Sequence, residues 1–250
     1  MSVKQTKGVP NMCERGYMIQ TYGIIGAMKV ETELLVEHMQ QARRTRFASM
    51  DFFEGVLCGK QVVVVQSGIG KVNAGICAQI LCNIYHVAAI INTGIAGALD
   101  LRLTVGDVVV SAEVVHHDFD VSNLSYPLGQ IPGMDTLTFK ASDELIVAAD
   151  KAIRSARPDI RCCMGCIASG DQFVHTSARK TEIVQEFGAL CCEMDGAALG
   201  QTCYLNHIPF VVMRTISDNA DEESGVDYPK FEKQTAHDNA RIIEHMLVTL

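Results

Sequence analysis

Apolar residues along this chain fall into short β-branched runs that alternate with stretches of helical spacing. Tyr22-Gly-Ile-Ile-Gly-Ala27 reads as a buried strand, and Val30, Leu34, Leu35 and Met39 then repeat at helical spacing from Lys29 to about Gln41. Phe52 to Lys60 and Gln61 to Gln66 read as two strands joined by a turn around Gly59-Lys60. The solid run Val62 to Val65 suits a strand covered on both faces. The pattern next predicts a small-residue helix from Asn73 to about His86, a buried strand from Val87 to Asn92 and a long strand from Gly106 to Val115. Beyond a loop at Tyr126 to Gly133, Ser142 is positioned to cap a helix running to Asp150. A strand near Cys162 to Ser169, a helix from Ala178 to Phe187, a short strand at Leu190-Cys-Cys and a helix to about Asn206 follow. Phe210 to Met213 is then a central strand, and an amphipathic helix from about Tyr228 to Leu247 ends the pattern. Strands and helices alternate with no Pro- or Ser-rich linker, which predicts one α/β domain.

Each apolar run breaks into polar or glycine residues at its carboxyl end, where open α/β sheets bind ligands. The breaks carry Glu31, the glycine-rich turns Ser67-Gly-Ile-Gly-Lys-Val72 and Thr93-Gly-Ile-Ala-Gly-Ala98, Asp171-Gln-Phe173, Glu193-Met-Asp195 and Arg214-x-x-Ser-Asp218. The first glycine turn is not a Walker phosphate loop, because Val72 follows Lys71 where Ser or Thr is needed. No G-x-S-x-G elbow is present. Carboxylates without a metal motif suit glycosidic cleavage, in which one protonates the leaving group and another activates water. Plainer readings stand beside these. Glu31 suits the first turn of a helix, Arg214 and Asp218 suit an ordinary ion pair, and Phe173 suits a core aromatic as well as a surface for stacking a base.

Composition narrows the classes. Hydrophobic residues make up 48% and charged residues 20%, enough apolar material for a substantial core. A net charge of -8 and a pI near 5.5 argue against a nucleic-acid or anionic-membrane partner, though not against a small nucleoside. The longest apolar stretch, Val87 to Leu101, is interrupted by Asn92, Thr93 and Asp100, so no membrane span is expected. Met1 to Gly16 is polar and lacks the apolar centre of a signal peptide, so residues 1–21 are expected to be an extension of a domain at 22–250. Ten cysteines without a signal fit reduced thiols in a cytoplasm. Cys163-x-x-Cys166 has no second pair at zinc-site spacing. Adjacent His116 and His117 point to opposite faces of an extended segment. No metal is expected.

The same strand ends carry a resemblance. Gly23-Ile-Ile-Gly-Ala-Met-x-x-Glu31, Ser67-Gly-Ile-Gly-Lys-Val72, Asn92-Thr-Gly-x-Ala-Gly97, Val105-Gly-Asp-Val-Val-Val-Ser111, Gly129-Gln-Ile-Pro-Gly133, Ser169-Gly-Asp-x-Phe173, Glu193-Met194 and Arg214-x-Ile-Ser-Asp-x-Ala-Asp221 stand in order along the chain. In this order they resemble the 5′-methylthioadenosine/S-adenosylhomocysteine nucleosidases of the nucleoside phosphorylase-like fold, from about Tyr22 to Leu247. The resemblance implies a single three-layer α/β domain with a mixed central β-sheet flanked by helices, a homodimer, an adenine nucleoside as small-molecule substrate and no cofactor. It also implies roles: Asp218 as general acid to N7 of adenine, oriented by Ser217; Glu31 as the base that activates water, helped by Arg214; Phe173 stacking on the base; and Val174 reading its edge through the backbone. Met28 and Met194 would pack the ribose and thioether. Glu193 would join them in the substrate pocket, and Tyr228 and Leu124 would wall the 5′-substituent. Pro132 and Tyr126 would come from the same or a neighbouring subunit. Three positions depart from the common pattern: Asp195 stands for a glutamate expected on the ribose hydroxyls, Ile95 for serine, and Leu124 for an aromatic wall residue.

Rival readings on the same fold are a phosphorylase, a nucleoside-binding protein without chemistry, and a hydrolase of another purine nucleoside. A phosphorylase would need cations where this chain has Glu31, whose charge repels phosphate.

Overall fold

The computed structural model describes residues 20–221 and 224–250, with side chains of the last helix described at Thr235 and from His237 onward. The expected N-terminal extension lies, up to residue 19, outside the described residues. Strands β1 (Thr21–Gly26), β4 (Lys60–Gln66), β5 (Ala89–Ala98) and β10 (Phe210–Asp218) run parallel side by side. Around them β2 (Gln40–Phe47), β3 (Met50–Leu57), β6 (Val108–His116), β7 (Phe139–Lys140), β8 (Cys162–Ser169) and β9 (Cys191–Glu193) complete a mixed sheet of ten strands. β5 pairs with β1 through its first half and with β9 through Gly97 and Ala98, while β10 holds its other edge. The pairings β5–β10–β6–β8–β9–β5 therefore close a ring, and β1, β4, β3 and β2 extend from it.

Helices cover both faces, because the central strands are apolar on both. Val63 and Val65 pack toward α2 (Lys71–Asn83) and α5 (Gly196–Asn206), and Val62 and Val64 toward α1 (Lys29–His38), α3 (Asp143–Ala156) and α6 (Ser224–Thr249). A smaller cluster under α4 (Ser177–Phe187) joins Ile183 to Val115, Ala168 and Cys192. The three-layer α/β arrangement expected from the sequence is what the chain forms.

Local differences have physical causes. The first helix ends at His38, not near Gln41, and Gln40–Phe47 forms β2, a strand with nearly every side chain exposed. Solvent on both faces removes the alternation that would mark it, and its arginines protect a free edge. Thr93 to Ala98 is no turn but an unbroken part of β5. Its glycines serve close approach: a Cβ on Gly94 would lie 2.9 Å from Glu31 Oε1, and one on Gly97 would lie 3.0 Å from Asp218 Oδ1. Ser142 stands at the N-cap of α3, yet its side chain makes no capping bond. Two-residue β7 falls below any periodic signal.

Candidate active site

Six strand ends converge on one cleft of about 220 Å³, lined by Ala27, Met28, Glu31, Ile69, Ile95, Ala96, Gly97, Phe173, Cys192, Glu193, Met194, Asp195, Ser217 and Asp218. A recess of about 40 Å³ adjoins it, where Val174 and Gln172 meet Phe173 and Asp218. A wider groove of about 660 Å³ opens past Met28 and Ile69 between Lys29, Glu33, Leu34, Gln66 and His237.

Glu31 is the third residue of α1, and its Oε2 accepts the backbone N–H of Met28 at 2.9 Å. Half of a capping box thus fixes a carboxylate that also faces the cleft. Glu31 thus stands in the first turn of a helix and in the lining of the cleft at once. Burial pushes its pKa above the ordinary glutamate range, against the Met28 N–H and the Arg214 charge.

Arg214 lies behind the cleft, 1% exposed. Its Nε donates to Glu193 Oε2 at 3.1 Å, Nη1 to the Met213 carbonyl at 3.1 Å and Nη2 to Asn92 Oδ1 at 2.6 Å, with Nη2 also bonded to Glu193. Glu193 accepts further bonds from Ser169 Oγ, from Asp195 N at 3.1 Å and from Gly196 N at 2.9 Å. Burial works against the Glu193 charge, but Arg214 and these donors outweigh it and hold its pKa below the ordinary range. Both its oxygens are committed to protein donors, so Glu193 anchors Arg214 and the start of α5 rather than offering a free acceptor. Asn92 and Ser169 complete this buried set. In the sequence both stand only as members of motif blocks, with no role attached to either.

Asp195 sits at the N-cap of α5 with Oδ1 accepting the Gly70 N–H at 2.7 Å and Oδ2 at 3.9 Å from Arg214 Nη2. Burial and then the Glu193 charge raise its pKa to about 7. Asp218 ends β10, where the register with β5 shifts between Ile216 and Asp218. Such a bulge re-aims the side chains beside it. Ser217 Oγ donates to Asp218 Oδ2 at 2.7 Å, and Ala220 N donates to Oδ1 at 2.9 Å.

Phe173 stands at the mouth of the cleft with 46% of its surface exposed, so it is no core phenylalanine. Met28, Met194, Ile95 and Asp195 also line the cleft. Leu124, on a single 3-10 turn at Ser122–Leu124, is 61% exposed and does not line it; Tyr126 and Pro132 are exposed on the following loop. Tyr228 lies on α6 outside the described side chains. His116 Nε2 pairs with Gln201 at 3.1 Å and His117 Nδ1 with Arg179 at 3.1 Å, on separate partners as the alternation implied.

The fold and this gathering of strand ends define a member of the phosphorylase superfamily, whose family profile matches residues 21–248. The chain is 40% identical over 229 residues to the 5′-methylthioadenosine/S-adenosylhomocysteine nucleosidase of Shewanella pealeana, covering 91% of this chain and 99% of the relative. The Neisseria meningitidis nucleosidase of that name, solved with methylthio-immucillin-A, superposes with a TM-score of 0.89 at 38% identity, over 92% of this chain and all of that one. The futalosine hydrolase of Helicobacter pylori superposes with a TM-score of 0.88 at 33% identity, over 94% of this chain and all of that one. The chain belongs to the 5′-methylthioadenosine/S-adenosylhomocysteine nucleosidase family within that superfamily.

Proposed function

We infer that this protein is an N-glycosidase that hydrolyses 5′-methylthioadenosine and S-adenosylhomocysteine. The products are adenine and 5-methylthioribose or S-ribosylhomocysteine, which serves methionine salvage and adenosylmethionine recycling. The observation that carries the reading is the pair of carboxylates across one cleft, Glu31 and Asp218, each oriented by its own hydrogen bonds. Adenine stacks on Phe173 with its edge toward the Val174 backbone, and Asp218 gives a proton to N7. Protonation turns a poor anionic leaving group into neutral adenine. The sugar then carries oxocarbenium character, which the Glu31 carboxylate stabilises. Glu31 takes the proton of the attacking water. Asp195 accepts a ribose hydroxyl through Oδ2, while Met28 and Met194 pack the sugar and thioether. The groove beyond Met28 is wide enough for the longer 5′-arm of S-adenosylhomocysteine.

Water is favoured over phosphate by an arrangement at the start of α2. The Gly70 and Lys71 N–H groups, which a helix N-terminus offers to anions, are already bonded to Asp195 at 2.7 Å and Asp171 at 2.8 Å. Exposed apolar residues Val72 and Ile76 on α2, Leu205 on α5, and Phe173 and Leu124 support a homodimer that covers them. Light scattering in solution reads that state. The described cysteines are all free thiols, which supports a cytoplasmic location. No helix among the described residues is long and apolar enough to cross a membrane.

Asp218→Asn tests the reading. Adenine release should fall by about 10²–10⁴, the usual contribution of a positioned acid, while affinity for an adenine-containing inhibitor stays within a few-fold. Parallel loss of both makes Asp218 a binding residue, and loss of neither removes it from the mechanism.

A further inference from the structure

Ile69 and Phe173, apolar walls of the cleft, come from loops far apart in sequence: the turn after β4 and the turn after β8. Apolar packing does not lock these loops together, since both residues are exposed. A ring of charged contacts behind the cleft joins them. Lys71 Nζ donates to Asp118 Oδ1 at 2.6 Å, and the Asp171 N–H donates to Asp118 Oδ2 at 2.9 Å. The Lys71 N–H donates to Asp171 Oδ1 at 2.8 Å and closes the circuit. The Lys71 and Asp118 side chains are only 20% and 23% exposed, so solvent screens this pair less than a surface ion pair. Gly70 and Gly170 tighten the ring. Gly70 has φ +102°, a conformation open to glycine, and a Cβ on Gly170 would lie 2.5 Å from the His117 ring and 3.0 Å from Asp118 Cγ. None of Asp118, Lys71 or Asp171 lines the cleft, and none of their side chains touches the reacting atoms; the Lys71 N–H and Asp171 enter the reaction described above only by closing the start of α2 to phosphate.

We propose that Asp118 is a positioning residue: through Lys71 and Asp171 it sets the separation of Ile69 and Phe173, and so the affinity for the flat purine. This rests on the reading of the cleft as an adenine site. Asp118 touches two loops at once, one oxygen on each; the Lys71 N–H to Asp171 bond links the same two loops, and Arg179 holds the turn after β8 to His117 through Gln172. The acid Asp218 and the base Glu31 sit on β10 and α1, outside the ring. Its loss therefore weakens binding of the base and leaves the chemical step in place.

The test is Asp118→Asn in the full chain, with Lys71→Met beside it. Asparagine keeps an acceptor for Asp171 N–H but turns its amide donor toward the Lys71 ammonium. The expected result is a rise of about tenfold in the Kd for free adenine and in KM, on the scale of one base–aromatic stacking contact. kcat should stay within about threefold and the melting temperature should be nearly unchanged, because one partly exposed pair contributes little to stability. Lys71→Met should give the same split, and the double variant should lose no more than either single one. Unchanged adenine affinity overturns the proposal. So does a fall in kcat at constant KM, or losses in the double variant that add. Adenine affinity is read without turnover. A response of binding to Asp118→Asn in a protein that releases no adenine from methylthioadenosine would keep the tether and refute the proposed reaction.

Discussion

Replacing Glu31 by Gln separates the chemistry of this residue from its structural part. The amide has the same length, and its oxygen can still accept the Met28 N–H that Glu31 Oε2 accepts at 2.9 Å. The fold should lose nothing by the change: burial already outweighs the favourable field at the N-terminus of α1 and raises the Glu31 pKa, so a neutral amide should leave the melting temperature unchanged or higher. What the reaction loses is a general base, about 10²–10⁴ in rate. At about 1.36 kcal/mol per decade that is roughly 3–5 kcal/mol of barrier, with no matching loss of fold stability. The assay is adenine release from methylthioadenosine, with adenine affinity and melting temperature measured on the same preparation. The pH profile adds a second reading. Burial raises the folded pKa of Glu31 above its ordinary 4.5, and the base acts only when deprotonated. The wild-type kcat/KM should therefore fall as pH drops through a value above that of an ordinary glutamate, and the residual activity of Glu31→Gln should lack this limb. Turnover by the variant within a few-fold of wild type would refute the role.

Two further outcomes follow from the same geometry. Asp195 has its pKa raised to about 7 in the folded protein, against about 3.9 for an unfolded aspartate. The folded state thus binds the proton more tightly, so the stability Asp195 contributes is full below about pH 4 and is lost as pH rises toward 7. Urea unfolding across this window should show Asp195→Asn with a flatter dependence than wild type, and identical slopes would remove Asp195 as the cause. Gly94→Ala would put a Cβ 2.9 Å from Glu31 Oε1 and 3.1 Å from Arg214 Nη1; activity should drop by at least about tenfold with a stability cost of about 1–3 kcal/mol, and wild-type kinetics would show that Glu31 has room to move.

Most of the sheet is legible in the sequence because its strands are buried on both faces, and an uninterrupted run such as Val62 to Val65 has few other uses. Its ring closure is not. Which edge β9 takes depends on the Gly97–Cys192 and Ala98–Cys191 pairings, and three residues carry no periodicity to announce them. β2 escapes for the opposite reason, since polar side chains on both faces leave no pattern. At the site, Glu31, Asp195 and Asp218 stand out because carboxylates at strand ends are unusual. The division of labour among them is not visible until the hydrogen bonds are known. Glu193 looks like a further substrate acceptor in sequence, whereas Arg214, Ser169 and the start of α5 occupy its oxygens. Ile69 and Asn92 have ordinary residue types, and only convergence in space gives them a place. Leu124, a wall residue assigned by resemblance, stands exposed and outside the cleft.

In the reaction inferred above, water and not phosphate takes the sugar from adenine. The direct measurement is the reaction with methylthioadenosine in ¹⁸O-labelled water, with and without inorganic phosphate, the sugar product being analysed by mass spectrometry. Hydrolysis places one ¹⁸O at the anomeric carbon of methylthioribose and leaves the rate indifferent to phosphate. Adenine release that requires phosphate, with a sugar 1-phosphate as product, would contradict it.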